Sequence, residues 1–198
     1  RNEQKIHAQL GCIEKNTRPR IIPIMTNDLF TTDYADMLHS EHQKSAWGHT
    51  AQKYVKSITK YANQLDETHM LDYGAGRGGL KKALPKNFTV TEYEPGRPDT
   101  RSNNTPHNYV VCIDVLEHIE PDLIDNVLDD LKRITLKGGY FTVSTRLASK
   151  ILKDGRNAHL IVENFEWWTE KLSQRFEIVE SSYDASKQRG IYFVRPQS

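Results

Sequence analysis

The sequence predicts a three-layer α/β/α sandwich around a mostly parallel sheet that ends in an antiparallel C-terminal strand. Three observations predict it. Short apolar runs alternate with segments of helical spacing along most of the chain, the order that builds strand–helix–strand units. One run, residues 69–73, passes directly into a glycine-rich loop containing Gly74, Gly76, Gly78 and Gly79; glycine is needed where a backbone takes positive φ or comes close to a ligand. Residues 109–113, Tyr-Val-Val-Cys-Ile, are continuously apolar, as a central parallel strand covered on both faces requires.

Each element can be justified in turn. Residues 1–20 are polar and without period, and Pro19 and Pro23 bracket an apolar piece that reads as extended chain lying on the domain. A short helix is expected over 33–39 and a loop over 40–48. Residues 1–46 therefore form an extension that packs on the core or acts as a lid, and 47–198 form the main domain. Between 49 and 65, Tyr54, Val55, Ile58, Tyr61, Ala62 and Leu65 fall on one helical face. After the glycine loop only a short helix fits over 80–84 before Pro85 stops it. The second strand is expected over 88–93.

Residues 95–108 are polar, carry three prolines and the pair Asn103-Asn104, and number only about fourteen. A crossover helix alone takes about a dozen residues, so the third strand of a regular doubly wound sheet is shortened or missing. Strand 109–113 ends at Asp114. Pro121 opens a helix with Asp122 and Asp125 early and Lys132 and Arg133 late. Gly138-Gly139 is expected to terminate it ahead of a strand over 140–144. A long connection, 145–160, precedes a helix over 166–174 with Trp167, Trp168 and Leu172. The last two strands, 176–179 and 190–194, are joined through a polar stretch and read as antiparallel.

Composition bounds the function. The chain has 198 residues and a net charge of +1, which fits one domain with a core of its own and argues against a basic nucleic-acid stripe. Cys12 and Cys112 are far apart and build no disulfide framework, so a reduced cytoplasmic setting is expected. No apolar run reaches the length of a membrane span and no signal peptide is visible. The chain begins at Arg1 rather than a methionine, so anything upstream lies outside this reading.

The glycines fit both GxGxG (Gly74, Gly76, Gly78) and the dinucleotide pattern GxGxxG (Gly74, Gly76, Gly79). Asp72 precedes them. Glu94 closes the next apolar run about twenty residues on, where an acid can accept two ribose hydroxyls. On these residues, together with VCIDVLEHI (111–119) and KGGYFTVS (137–144), the chain resembles the class I S-adenosylmethionine-dependent methyltransferases from Trp47 onward. It is also similar to a small phage and bacterial methyltransferase group through Trp47-Gly48, LDYGAGRGGL (71–80), Tyr93-Glu94-Pro95, DVLEHIEPD (114–122) and DGRNAHLI (154–161).

The resemblance implies a Rossmann-like sheet, S-adenosylmethionine as cofactor and S-adenosylhomocysteine as product. It implies a cytoplasmic enzyme of a bacterium, or of a host cell if phage-encoded. Asp72, Tyr73, Gly74, Ala75, Gly76, Gly78, Glu94, Asp114 and Val115 are then the cofactor-binding residues. The acid that often contacts adenine after the third strand has no clear match, Asp99 being nearest. The plain alternatives are a loop-bracing role for Asp72 and a solvated strand end for Glu94.

The connection 145–160 holds Arg146, Lys150, Lys153 and Arg156 against the single acid Asp154. This basic loop suits an anionic acceptor, with Arg146, Lys150, Arg156, Asn157 and Trp47 as substrate-binding candidates. The alternatives are a merely solvated loop and a core anchor for Trp47. His159 is the first candidate for a general base and His118 the second, because imidazole titrates near neutrality. Glu117 and His118 are adjacent, with no partner at i+3 or i+4 for a local chelate, so no metal is expected. Trp167 and Trp168 wall the pocket or seal the core.

The expected acceptor is a small anionic molecule or a nucleotide- or sugar-linked intermediate. A nucleic-acid or protein methyltransferase relying on a partner, a non-catalytic cofactor-binding subunit and a nicotinamide-dependent oxidoreductase are the alternatives. The oligomeric state is not legible.

Overall fold

A computed structural model describes residues 28–44 and 50–197. Its centre is one six-stranded sheet of β1 (His69–Tyr73), β2 (Thr89–Tyr93), β3 (His107–Ile113), β4 (Thr135–Ser144), β5 (Phe176–Asp184) and β6 (Arg189–Pro196), in the order β2-β1-β3-β4-β6-β5. The first four run parallel, and β6 is antiparallel to both β4 and β5. The expected sandwich with an antiparallel C-terminal end is therefore present.

Alternation along each strand sends side chains to two layers. Met70, Tyr109, Val111, Ile113, Tyr140 and Phe193 pack with α2 (Val55–Gln64) through Ile58, Tyr61 and Ala62. Leu71, Tyr73, Val110, Cys112, Phe141, Val143, Tyr192 and Val194 pack on the opposite face. That face is covered by α4 (Ile124–Ile134) and α5 (Phe165–Ser173), which bring Leu128, Leu131, fully buried Trp168 and Leu172. Trp168 thus seals the core, whereas Trp167 is only partly buried beside it. The short α3 (Gly79–Ala83) follows the glycine loop, and α1 (Thr32–Lys44) precedes the domain.

No strand or helix occupies 94–106, so the third strand of the regular pattern is missing. The connection is a chain of turns tied down by side chains. Asn103 donates to the Glu92 carbonyl at 3.0 Å, Asn104 donates to Asp130 of α4 at 3.1 Å, and Arg133 donates to the Asn104 carbonyl at 3.0 Å.

Four expectations about element bounds need correction. Strand β5 runs on to Asp184, beyond the expected 176–179. Helix α1 runs on through Lys44, beyond the expected 33–39. Helix α2 begins only at Val55, after a 3-10 turn over Thr50–Tyr54. Gly138 and Gly139 do not stop α4, which gives way to β4 at Thr135. They lie inside β4 because the packing there admits no side chain: a Cβ on Gly139 would stand 2.7 Å from the Phe141 ring, and one on Gly138 would stand 3.0 Å from Leu65.

The carboxyl ends of β1, β3 and β4 open at one edge. The strand order reverses there, with β2 on one side of β1 and β3 on the other, and open α/β sheets bind ligands in that crevice.

Candidate functional site

A cavity of about 480 Å³ occupies the crevice, a size typical of small-molecule and cofactor pockets. One half is built by the glycine loop. Gly74, Gly76 and Gly78 take φ of 78°, 52° and 74°, left-handed values that side-chain-bearing residues rarely adopt. The Gly74 and Ala75 amides donate to the Tyr93 carbonyl at 2.8 and 3.0 Å, pinning the loop to the end of β2. A Cβ on Gly74 would meet Val115 at 2.4 Å, so the loop and the chain after β3 touch backbone to side chain.

Glu94, 5% exposed, links the two sides of this half. One carboxylate oxygen accepts from the Gly76 amide and the other from the Gly96 amide, each at 2.9 Å. A carboxylate oxygen can accept more than one hydrogen bond. Asp72, 3% exposed, lies at the cavity floor, and no hydrogen bond from the described residues reaches its carboxyl. Burial, with the neighbouring Glu92 and Glu94 carboxylates adding to it, pushes its pKa up to about 8. A buried carboxyl left without partners, beside positive-φ glycines and a second acid, fits a ligand bearing an ammonium group and a diol.

Of the nine residues expected on this side, Asp72, Gly74, Ala75, Gly76, Glu94, Asp114 and Val115 line the cavity. Tyr73 faces the core, and its hydroxyl donates to Asp130 at 3.3 Å. Gly78 lies against Glu92, whose carboxylate a Cβ would meet at 2.3 Å. Asp99 points outward and pairs with Arg97 at 2.9 Å.

The other half is assembled from distant parts of the chain. Asp114 follows β3 with φ of 53°, a strained conformation for a residue with a Cβ. It is held there by Thr142, which donates to its carboxylate at 2.7 Å, and by Arg189, which ion-pairs with it at 2.5 Å. Arg189 also donates to the Tyr54 hydroxyl at 3.0 Å. No sequence signal pointed to Arg189; it arrives because β6 pairs antiparallel with β4, placing it opposite Ser144.

His118 and His159 both line the cavity, their rings edge to face with centroids 4.8 Å apart. The Nδ1–H of His118 donates to the Ala158 carbonyl at 2.6 Å, and that of His159 to the Arg146 carbonyl at 2.5 Å. Burial lowers the His159 pKa below the ordinary imidazole value. Beneath them Glu117 is fully buried. One of its oxygens accepts from the Ser144 amide at 3.0 Å, and the other has no hydrogen-bond partner among the described residues. Burial, then the neighbouring Asp114, raises its pKa well above the carboxylate range.

Two of the four cations of the basic loop are ion-paired within the chain. Lys150 lines the cavity but pairs with Glu41 of α1 at 2.6 Å, and Arg156 pairs with Asp154 at 2.6 Å. Asn157 braces the loop, exchanging two hydrogen bonds with the Ala148 backbone at 2.9 and 3.0 Å. Arg146 lines the cavity and pairs with no acid among the described residues. Helix α1 closes this half from above: Tyr34 and Leu38 pack on Leu152 and Ala158, and the Tyr34 hydroxyl donates to the His118 carbonyl at 2.6 Å. Trp47 lies outside the described residues.

Comparison with known proteins decides the family. The model of the methyltransferase domain family matches residues 46–179. The chain belongs to this family. No curated protein matches it in sequence. Among solved structures it resembles 1,6-didemethyltoxoflavin-N1-methyltransferase of Burkholderia thailandensis, with a TM-score of 0.58 and 17% identity over 84% of this chain and 90% of that one. It resembles the N-methyltransferase NodS of Bradyrhizobium japonicum with a TM-score of 0.55 and 12% identity over 83% and 99%. The cyclase SpnF shares the fold at a TM-score of 0.52, with 11% identity over 77% of this chain and 84% of that one. At these identities the likeness is one of fold, and this methyltransferase must be read from its own residues. No helix among the described residues is long and apolar enough to cross a membrane.

Proposed function

We propose that the protein transfers a methyl group from S-adenosylmethionine to a small anionic acceptor, or to one linked to a nucleotide or sugar. The observation that carries this reading is a single cavity whose two halves have complementary chemistry. The glycine loop, Glu94 and the unpartnered Asp72 lie on one side, and Arg146 with two imidazoles lies on the other. The toxoflavin enzyme and NodS both hold S-adenosylhomocysteine, and the residues here suit that ligand.

Asp72 faces the methionine ammonium, the backbone at Gly74, Ala75 and Gly76 approaches the methionine and ribose, and Glu94 accepts from the ribose hydroxyls. Asp114 and Val115 lie along the adenine or methyl side. The donor supplies a sulfonium methyl: an acceptor lone pair forms the new bond as the C–S bond breaks, and the electron pair stays on the thioether sulfur. What the chain contributes is proximity and alignment. Arg146 neutralises the acceptor's anion, and His118 and His159 flank the acceptor. Helix α1 roofs this half and keeps water out. The internal pairing of Lys150 and Arg156 halves the positive charge that the loop could offer a nucleic-acid backbone and supports the small acceptor.

The test is a mass-shift screen of small acceptors with S-adenosylmethionine, in matched anionic and neutral forms. Methylation confined to anionic members, and weakened by Arg146→Ala, is expected. Preference for neutral members, unchanged in that variant, would refute the anionic assignment.

A further inference from the structure

We propose that Glu117, His118 and His159 hold a divalent transition-metal ion at the base of the acceptor half of the cavity. One ligand atom from each lies within 4.8 Å of those from the other two, close enough to converge on one ion after small side-chain rotations. Three independent features point to a cation there. The second oxygen of Glu117 is buried and has no hydrogen-bond partner among the described residues, and leaving such a group without a partner is costly. Arg189, the nearby guanidinium, gives its terminal nitrogens to Asp114 and Tyr54, and its buried Nε has no hydrogen-bond partner among the described residues.

Both imidazoles are oriented as ligands usually are. Each donates Nδ1–H to a backbone carbonyl, which fixes the tautomer with its lone pair on Nε2. The histidines line the cavity while Glu117 lies beneath it, so the protein ligands approach from one side and the remaining positions open toward the acceptor.

Two imidazoles and one carboxylate suit zinc, manganese, iron(II) or cobalt rather than magnesium or calcium, which prefer all-oxygen sets. An ion here would bind an anionic oxygen of the acceptor, a role that rests on the methyl-transfer reading; the ion site itself does not. It also replaces the expectation of a histidine base with that of two histidine ligands. The sequence offered only the adjacent Glu117-His118 pair, and the third ligand comes from the far end of the 145–160 connection.

The chelator-treated full chain is titrated with cobalt(II), followed by visible absorption and thermal shift, with zinc as competitor. One equivalent is expected to bind, with ligand-field bands that zinc abolishes. Glu117→Gln keeps an acceptor for the Ser144 amide, and His159→Ala alters a half-buried side chain. Each is expected to weaken cobalt binding by more than about 100-fold, the most that loss of a merely supporting contact costs. Their affinity for S-adenosylhomocysteine should stay within about threefold, which also confirms folding. Failure of the unaltered chain to bind cobalt or zinc, or equal binding by both variants, would overturn the ion site. If S-adenosylhomocysteine still bound in that case, the donor reading would stand without it.

Discussion

The two halves of the cavity are built on different plans. The half proposed for the donor comes from one contiguous stretch, β1, the glycine loop and β2, closed by Glu94 accepting from the Gly76 and Gly96 amides. The half proposed for the acceptor is gathered from α1, the end of β3, the connection after β4 and the start of β6, and is held by contacts between distant side chains. A site made from local backbone conformation tolerates little change in that backbone. A site made from converging side chains can change residue by residue while the fold stays. The contrast fits a fold that is shared by methyltransferases and, in SpnF, by a cyclase.

The largest predicted effect falls on the donor half. Gly74→Ala forces a side chain at φ of 78° into Val115 at 2.4 Å. Left-handed strain and overpacking together cost about 2–5 kcal/mol, and donor binding should be lost beyond about 100-fold in calorimetry, with a lowered Tm. Gly78→Ala shares the strain but meets only the movable end of Glu92, so its cost should be about 1–2 kcal/mol. Equal effects of the two would break the claim that Gly74 is the rigid contact between loop and β3.

Next comes Glu94→Ala, which removes charge-assisted acceptors worth about 1.5–3 kcal/mol each. S-adenosylhomocysteine affinity should fall about 100-fold, and unchanged affinity would remove the ribose assignment. On the acceptor half, Arg146→Ala should raise the acceptor KM about tenfold, roughly one charge-assisted contact at an exposed position, with donor affinity held within about twofold. A parallel loss of donor affinity would show that the halves are not separable.

A pH slope tests the floor of the cavity. Asp72 has a pKa raised from 3.8 to about 8 in the fold, so between those values the folded protein holds a proton that the unfolded chain has released. Its contribution to stability is therefore full below about pH 4 and is lost as pH rises toward 8. Asp72→Asn should flatten that part of the stability curve. Pairing with a ligand ammonium favours the ionised form, so donor binding near pH 7 should release protons, measured by calorimetry in buffers of different ionisation enthalpy. The variant should release none from this group.

Legibility in the sequence followed the same division. That Asp72, Gly74, Gly76 and Glu94 would line one cavity was readable because they sit at fixed offsets along two strands and one turn. The missing third strand was readable from length alone, since 95–108 cannot hold a helix and a strand. Gly138-Gly139 misled because a helix stop and a close approach of packed layers use the same residue, and only Phe141, Leu65 and Val194 in place distinguish them. Arg189 and Tyr34 carry no local signal: one depends on the β4–β6 register and the other on where α1 docks. The cations of the 145–160 connection were visible, but not that Glu41 of α1 would pair with Lys150.

The most direct measurement is calorimetric binding of S-adenosylhomocysteine to the full chain, with NAD(H) as control. One site of near-micromolar affinity is expected, selective over NAD(H) and weakened about 100-fold by Glu94→Ala. Binding of NAD(H) instead, or of neither ligand, would contradict the donor site at its root.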